Sequence, residues 1–540
     1  MNHKIPTPKK YHQSERGSIF PIVLVICIGL VSVALYFAHT TELAYRGASS
    51  DVAARQSQHA IDGAAQYVEY LMLNSGTITS GSSSSTSSSG SSSASSVIGT
   101  GTTPLMYVLP DPSSYNGEAV KVGDATFWLI GDAQNMPVGA GNGMGGSSGG
   151  TGSLTTASGG PGSNLPSFGL VDEASKININ TASATMLENI PNMTTSLAQA
   201  IVAWRKTASS GTSSSASSAS SSANSTNGTN KGGPFESIFE LAQVAQLDGD
   251  DPSILYGNDT NLNHVLDPSE SGSSTQYNPG IYEYVTVFSR EPNIIPGTTF
   301  SRINITTGSA AVSSGSSSGS SGGSGGGRGG SSSSGSSSGT PTTLTTLLTT
   351  VLGQNRAVEV ALNVSSSNKG AQPKSVLEFY MRGKLTADEL DELTPYLTMS
   401  TGHYKSGLIN VNTASETVLE CIPGISQQVA SQIVSTRQQQ STPYTNLAWV
   451  APLFGTSASG SAAAFQAGPY LTTESFQVSA DVAAVGQGGL GYRRTLFVID
   501  ASNGAPQIVY RHDMTPLGWA LGPNELQAIG SGSGANTTNP

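Results

Sequence analysis

The first strong hydrophobic pattern in the chain is an uncharged apolar run from Ser18 to Ala38. Its length is about what a helix needs to span the hydrocarbon core of a bilayer. From Thr41 to Leu73 apolar residues recur at roughly helical spacing, and no proline interrupts them. The pattern predicts one continuous helix that leaves a membrane and becomes amphipathic. At about 1.5 Å per residue it would be about 85 Å long.

Further along the chain, ordered segments alternate with tracts of almost pure serine and glycine. The tracts lie at about 76–103, 139–163, 207–233 and 307–340, and a polar tail begins after about 528. They carry too few apolar side chains to offset chain entropy, so we interpret them as flexible insertions. Among the ordered segments, short strands are predicted within 104–132, 283–290 and 357–364. Three β-rich runs at 475–485, 492–500 and 506–514 predict an antiparallel meander.

One motif occurs twice. Residues 177–205 and 409–437 align without a gap, and about half of their positions are identical. Each copy predicts a helix, a tight hairpin and a second helix, with a hydroxyl residue capping the first helix. The cap is Thr181 or Ser183 in the first copy and Thr413 or Ser415 in the second, and the hairpins begin at Pro191-Asn192 and Pro423-Gly424. This pattern is typical of a helix-hairpin-helix unit, a module often used to grip DNA.

The hairpins lack the residues that DNA-gripping units use. Those units usually read Gly-h-Gly, where h is apolar, because two glycines let backbone N–H groups approach a phosphate. Here the triplets are Asn192-Met193-Thr194 and Gly424-Ile425-Ser426, and no basic cluster accompanies them. A net charge of −11 also disfavours a polyanionic partner. We therefore expect a structural, protein-contacting role and no nucleic acid, with DNA binding as the alternative.

An acidic loop at 259–270 has oxygen-bearing side chains at the spacing of a twelve-residue calcium loop. The predicted ligands are the side chains of Asp259, Asn261, Asn263, Asp267 and Glu270 and the carbonyl of Val265. His264 stands where glycine is usual, at a position with an unusual backbone conformation. The alternative is an Asx-rich turn without metal. We expect a calcium-stapled loop, with a second, weaker site at Asp248, Asp250 and Asp251.

No catalytic arrangement is evident from the sequence. The seven histidines are scattered without zinc-ligand spacing, and Asp388, Glu389, Asp391 and Glu392 are typical of the solvated face of a helix. The segment 486–491 matches GxGxxG, but a strand pattern follows it where a dinucleotide site needs a helix, so it predicts a hairpin loop. Cys27 and Cys421 lie in unrelated environments and predict no disulfide. We expect no enzymatic activity.

The N-terminus resembles the type IV pilin and type II secretion pseudopilin family. Lys4, Lys9, Lys10 and Arg16 lead into Gly17-Ser18, directly before the apolar run. The resemblance implies cleavage between Gly17 and Ser18 by a prepilin peptidase and packing of the apolar helices into a filament core. Most of that family carries Glu at the fifth mature position, whereas this chain has Ile22, which implies a place at the filament tip. A plain signal anchor is the alternative. Either way, the positive-inside rule places the N-terminus in the cytoplasm.

Two such repeats behind such a leader resemble the general secretion pathway protein K family, the large minor pseudopilins of type II secretion. The phrases LVDEASKININTAS and VTVFSREPN also look like that family. A single unit behind an anchor resembles ComEA-type competence DNA receptors, and a type IV pilus tip subunit is a further alternative.

The resemblance implies an α+β fold. It consists of a long N-terminal transmembrane helix, a pilin-like antiparallel sheet and an inserted helical domain with two helix-hairpin-helix (SAM-like) repeats. It also implies structural calcium. The implied partners are other minor pseudopilins at the tip, the prepilin peptidase, the bacterial inner membrane and the secreted substrate, with the bulk of the chain in the periplasm.

These expectations divide the chain into eight segments. They are a prepilin leader (1–17), a transmembrane and amphipathic helix (18–75), pilin-like strands with Ser/Gly-rich loops (76–165), a first helix-hairpin-helix domain with the calcium-type loop (166–306), a Ser/Gly linker (307–341), a second helix-hairpin-helix domain (342–470), the C-terminal strands of the sheet (471–527) and a flexible tail (528–540).

Overall fold

The computed structural model describes most of the ordered segments. The described residues are 20–75, 109–110, 115–132, 166–206, 232–270, 277–310, 342–366, 372–440 and 443–522. The predicted cleavage site at Gly17 and Ser18 lies outside them, as do most of the Ser/Gly tracts and the tail. Within them the fold mixes helices with short strands and one larger sheet, as the predicted α+β class requires.

The first element is a single long helix, α1 (Phe20–Ser75), which confirms the predicted continuous helix. The stretch Ile22–Asn74 is long and apolar enough to cross a membrane. Its first half exposes its apolar side chains, whereas residues from Ala60 to Met72 bury one face in a hydrophobic core. The helix therefore changes its surroundings midway along its length.

The remaining elements are mostly short. In chain order the strands are β1 (Val120–Val122), β2 (Ala125–Gly131), β3 (Ser167–Phe168), β4 (Val171–Asp172), β5 (Ile177–Asn178), β6 (Val285–Thr286), β7 (Arg290–Pro292), β8 (Ile303–Asn304), β9 (Ser309–Ala310), β10 (Leu397–Thr398), β11 (Tyr404–Ser406), β12 (Ile409–Asn410), β13 (Leu471–Thr472), β14 (Gln477–Val485), β15 (Arg493–Asp500) and β16 (Gln507–Asp513). The helices after α1 are α2 (Ala184–Leu187), α3 (Thr195–Trp204), α4 (Leu241–Asp248), α5 (Leu344–Leu352), α6 (Gln354–Ser366), α7 (Val376–Gly383), α8 (Ala387–Leu393), α9 (Glu416–Glu420), α10 (Gln427–Gln438) and α11 (Ala458–Ala467).

Seven strands form the main sheet, in the order β1-β2-β14-β15-β16, with β3 beside β2 and β4 beside β14. All of its pairings are antiparallel, and the predicted C-terminal meander is confirmed as β14 to β16. The buried face of α1 packs on this sheet, against side chains such as Phe127, Val482 and Phe497. Strands β1 to β4 precede the segment from β5 to β13 in the chain, and strands β14 to β16 follow it. Because both groups of strands belong to this sheet, the segment from β5 to β13 is an insertion.

The glycine-rich loop at 486–491 joins β14 to β15, as predicted for a hairpin, and α1 crosses it at close range. A Cβ atom on Gly486 would lie 2.3 Å from the Ala53 carbonyl oxygen, and one on Gly491 would lie 2.4 Å from the Ala54 nitrogen. Gly491 also has a φ of +69°. These glycines therefore allow the loop backbone to touch the helix backbone.

We expect Gly491→Ala to lower the free energy of unfolding by about 3 kcal/mol. About 1–2 kcal/mol comes from the left-handed backbone and at least as much from the collision with α1. Gly488→Ala is the matched control, because Gly488 has a φ of +70° but nothing within 4 Å of its would-be Cβ. Chemical unfolding of the full-length protein in detergent compares the two variants. Equal losses would contradict this account of the contact.

The insertion contains three units that begin and end alike, and the sequence pattern revealed only the first and third. Each begins with Ile-Asn, at β5, β8 and β12, and each closes on a parallel strand, at β6, β10 and β13. In each unit the Asn side-chain oxygen accepts a hydrogen bond from the backbone N–H two residues later, at 2.9, 2.8 and 2.9 Å. The closing strands read Tyr-Val-Thr, Tyr-Leu-Thr and Tyr-Leu-Thr, from 284, 396 and 470.

The middle unit also contains a prediction that was wrong. The run 357–364 was expected to be a strand, but it lies inside α6. Ala357 and Val360 face a small core that includes Leu347, Leu348 and Phe379, so burial follows a spacing of three along the helix. A short run of alternating β-branched residues imitates a strand, and packing against α5 and α7 decides in favour of the helix.

Candidate functional site

The calcium-type loop brings several of its predicted ligands together. The side chains of Asp259, Asn261, Asn263 and Asp267 are buried, and Glu270 is half-buried. Asp267 Oδ2 accepts hydrogen bonds from the amides of Asn261 at 2.8 Å and Asn263 at 3.2 Å. Glu270 Oε1 accepts from the backbone N–H of Thr260 at 2.7 Å.

Asp259 lies at the other end of the loop. Its carboxylate accepts hydrogen bonds from the backbone N–H of Asn263 at 3.0 Å and of His264 at 2.8 Å. Burial raises the pKa of Asp259 to about 6, and burial also raises the pKa of Asp267. Burial without a neighbouring cation favours the protonated form of both carboxyl groups. A cation bound between them would lower both pKa values.

The loop has the strained backbone that the sequence indicated. His264 has a φ of +63°, in the place where glycine is usual. Arg494 donates to the carbonyls of Asn261 and Leu262, the latter at 2.6 Å, and its Nε lies 3.0 Å from Asp481 Oδ1. A buried ion pair between β14 and β15 therefore fixes the loop to the sheet.

The donor set fits calcium, which prefers carboxylate, amide and carbonyl oxygens. The fit is partial in this conformation. The carboxylates of Asp259, Asp267 and Glu270 do not all come within 4.8 Å of one another, whereas the side chains of one other group of described residues do. Short 3-10 turns flank the loop, at Pro252–Leu255 and Ile281–Glu283, where an EF-hand has long helices. An ion here would stiffen the loop, and calcium stays a prediction.

The structure does not bring together the three aspartates of the predicted second calcium site. Asp250 accepts from the Thr194 hydroxyl at 3.0 Å, Asp248 accepts from the Ser196 hydroxyl at 3.0 Å, and Asp251 caps a 3-10 turn. The described residues hold no three-carboxylate cluster at these positions. These aspartates instead belong to the surroundings of the first hairpin.

We expect saturating Ca²⁺ to raise the melting temperature of the full-length protein in detergent by about 5 °C, because the ion binds the folded loop only. A chelator should reverse the gain. Asp267→Asn should abolish it, whereas Asp248→Asn, outside the loop, should leave it intact. A gain that survives Asp267→Asn would place calcium elsewhere.

The calcium effect should also depend on pH. Since the folded-state pKa of Asp259 is about 6, against an ordinary 3.8, the metal-free loop is stabilised by its proton at low pH. That contribution is lost as pH rises through about 6. Calcium requires the ionised carboxylate, so the gain in melting temperature should shrink as pH falls below 6. A gain that is equal at pH 5 and pH 8 would exclude Asp259 as a ligand.

The hairpins are formed as the sequence predicts. Asn192 and Gly424 have φ values of +64° and +89°. Ser183 and Ser415, rather than the neighbouring threonines, cap α2 and α9 by accepting from backbone N–H groups. Thr194 and Ser426 cap the second helices in the same way. The repeat is therefore a real pair of helix-hairpin-helix units.

The comparisons agree with this geometry. A family model described as a helix-hairpin-helix motif matches residues 172–210 and 405–448. The chain carries the motif twice. No curated protein matches the chain significantly.

Both hairpins have neighbours that disfavour a phosphate. Asp250 and Asp248 accept hydrogen bonds at the N-terminus of α3, where an anion would have to approach. In the second copy a Cβ atom on Gly424 would lie 2.4 Å from the Ala463 carbonyl oxygen of α11. Carboxylates therefore lie beside the first hairpin, and α11 contacts the second at Gly424.

The arginine shared by both repeats points inward. Arg437 is 4% exposed and donates to the carbonyls of Val411 at 2.9 Å and Ala414 at 2.6 Å. Arg205 donates to the equivalent carbonyls of Ile179 and Ala182. Both arginines hold the loop before the first helix and leave no guanidinium for a surface phosphate.

Asp172 is a key residue that the sequence pattern did not identify. It is fully buried, and its carboxylate accepts from Thr413 Oγ1 at 2.6 Å, Asn410 Nδ2 at 3.1 Å and the Ser475 hydroxyl. Burial raises its pKa. Asp172 thereby fastens the second repeat to β4. Its partners lie more than two hundred positions away in sequence, so no local signal marks it.

Asp388, Asp391 and Glu392 are exposed, as predicted for a solvated helix face. Glu389 is half-buried and binds Arg356 at 2.7 Å, and Asp391 accepts from Asn446 at 3.1 Å. Cys421 is buried, and burial raises the pKa of its thiol to about 12. A thiol with so high a pKa is a poor nucleophile.

Proposed function

We propose that this protein is a minor pseudopilin at the tip of a type II secretion pseudopilus, acting in pseudopilus assembly and in protein secretion across the outer membrane. The observation that carries the proposal is the division of α1. Its first half exposes a continuous apolar surface, and its second half packs on an antiparallel sheet. A bilayer or a core of like helices must cover such a surface.

Ile22 supports a terminal position in the filament. It is 64% exposed on α1 and stands at the fifth position after the proposed cleavage between Gly17 and Ser18. An isoleucine cannot neutralise the N-terminal amine of a neighbouring subunit in an apolar core. Such a subunit fits the tip of the filament, with other minor pseudopilins directly below it. It would enter the filament from the inner membrane.

The inserted units fit an assembly role. Their hairpins contact protein segments through Pro279 and Ala463, and the arginine that both repeats share makes internal contacts. An insertion of this kind offers a broad protein surface at the end of a filament. Contact with the secreted substrate is part of the proposal.

A membrane-anchored DNA receptor is the second candidate, and the matched motif is the observation that favours it. The carboxylates beside the first hairpin, the contact of α11 with the second and the net charge of −11 argue against it. A type IV pilus tip subunit is a close variant of the first proposal.

Purification of the full-length protein from its native membrane, in mild detergent, tests the proposal. We expect other pilin-like subunits to co-purify and duplex DNA to show no gel shift at low salt. Tight DNA binding that weakens steeply with salt, without pilin-like partners, would overturn the proposal in favour of the receptor.

A further inference from the structure

Beneath the calcium-type loop, the fold brings together three side chains that are distant in sequence. They are Asp132, directly after β2, His264 in the loop, and Glu283 in the 3-10 turn Ile281–Glu283. One ligand atom from each lies within 4.8 Å of the other two. Among the described residues, this is the one group of three His, Cys, Asp or Glu side chains that meets that distance.

The three groups are held in a largely dry site. Asp132 and Glu283 are 1% and 6% exposed, and His264 Nδ1 lies 2.7 Å from Glu283 Oε2. The second oxygen of Glu283, Oε1, is fully buried without an N–H donor, and the carboxyl group of Glu283 interacts with that of Asp132. Two carboxyl groups held together beside one imidazole need a shared proton or a cation between them.

Space for that ligand is present. A cavity of about 80 Å³ lies against the sheet and reaches His264 and Glu283, but not Asp132. It exceeds the volume needed for an ion with one or two water ligands. Lys176 also lines the cavity, on the side of Glu283.

The residue type at 264 is a further reason to infer a ligand. A glycine would adopt the φ of +63° without strain, whereas a histidine pays for it. Histidine therefore occupies a position where glycine would fit the backbone better, and its imidazole lies beside two buried carboxylates.

We propose that Asp132, His264 and Glu283 bind a divalent transition-metal ion of the zinc type, at a site separate from the calcium loop. One imidazole and two carboxylates suit zinc, whereas calcium takes oxygen ligands. Two carboxylates also match the charge of the ion. The ion joins the end of β2 to the loop and to the 3-10 turn, so it fastens the insertion to the sheet.

Calorimetric titration with Zn²⁺ tests the proposal on the full-length protein in detergent, stripped of metal and then saturated with Ca²⁺. We expect one tight Zn²⁺ per chain, and at least a hundredfold weaker binding in Asp132→Asn and in His264→Gly. His264→Gly keeps the fold testable, because glycine suits the backbone at 264 and is the usual residue of a calcium loop. His403→Gln, at an exposed histidine, is the matched control and should bind as the parent does.

The gain in melting temperature with Ca²⁺ should persist in His264→Gly, which separates loss of zinc from loss of fold. Asp267→Asn should lose the calcium effect and keep zinc. Equal zinc binding in the parent, Asp132→Asn and His264→Gly would overturn the proposal. So would zinc binding that Ca²⁺ displaces and Asp267→Asn abolishes, since the zinc would then occupy the calcium loop. Absence of tight binding in the parent would also overturn it.

Discussion

Replacing Arg302 by methionine is expected to lower the free energy of unfolding by about 3–5 kcal/mol. Arg302 is 2% exposed and lies between two carboxylates of other segments. Its Nη2 is 2.9 Å from Glu474, just after β13, and its Nη1 binds Glu291 in β7. Methionine fills part of the volume but leaves both buried carboxylates without a cation.

The loss should be larger at pH 8 than at pH 5. Burial, and next to it repulsion by Glu474, raise the pKa of Glu291 to about 7 from an ordinary 4.5. A carboxyl group whose pKa is raised by folding contributes fully to stability at pH values below its pKa in the unfolded chain. That contribution is lost as the pH rises through about 7. Without Arg302, Glu291 can take up a proton at pH 5 and relieve part of the cost.

Denaturant titration of the full-length protein in detergent measures this effect. The matched control is Arg511→Met, which breaks an ion pair with Asp62 at 3.2 Å between side chains that are about half exposed. That pair should contribute less than about 1 kcal/mol. Similar losses in the two variants, or a loss that does not change with pH, would contradict the buried triad.

Replacing Arg437 by methionine is expected to cost about 2–4 kcal/mol, since two buried carbonyls lose their donor. Burial lowers the pKa of Arg437 to about 10, so the guanidinium stays cationic at neutral pH and binds those carbonyls as a charged donor. The consequence falls on the second repeat, because Val411 directly precedes its Asn-Thr-Ala-Ser segment and Ala414 lies within it.

Arg205→Met is the comparison variant, because Arg205 makes the equivalent contacts from a half-buried position. Water can replace part of what it loses, so about half the cost of Arg437→Met is expected. Denaturant titration gives both values. If Arg437→Met left stability unchanged but abolished binding to DNA, the structural account of the repeat would be wrong.

The sequence predicted the elements whose patterns are long. α1 has more than fifty residues of apolar and then amphipathic spacing, and β14 to β16 are separated by clear turn residues. The repeats were found because the copies resemble each other over a whole unit. In each case the signal is local and is repeated many times along the segment.

What the sequence could not predict depends on contacts across the insertion. The middle unit was missed because its defining strands, β8 and β10, are two residues long and carry no periodic pattern. Asp172 and Asp132 gained their roles from partners brought to them by the fold. His264 is recognisable in the sequence as an unusual residue in a calcium-type loop, but its contact with Glu283 is visible only in the structure.

The mass of the mature N-terminal peptide tests the central claim most directly. The full-length gene is expressed with its native prepilin peptidase, and the protein is recovered from the inner membrane and digested. The account predicts an N-terminal peptide beginning at Ser18, and loss of that peptide when Gly17 is replaced by a bulky residue. An intact Met1 in the membrane-bound protein, with the peptidase active on a known pseudopilin in the same cells, would contradict it.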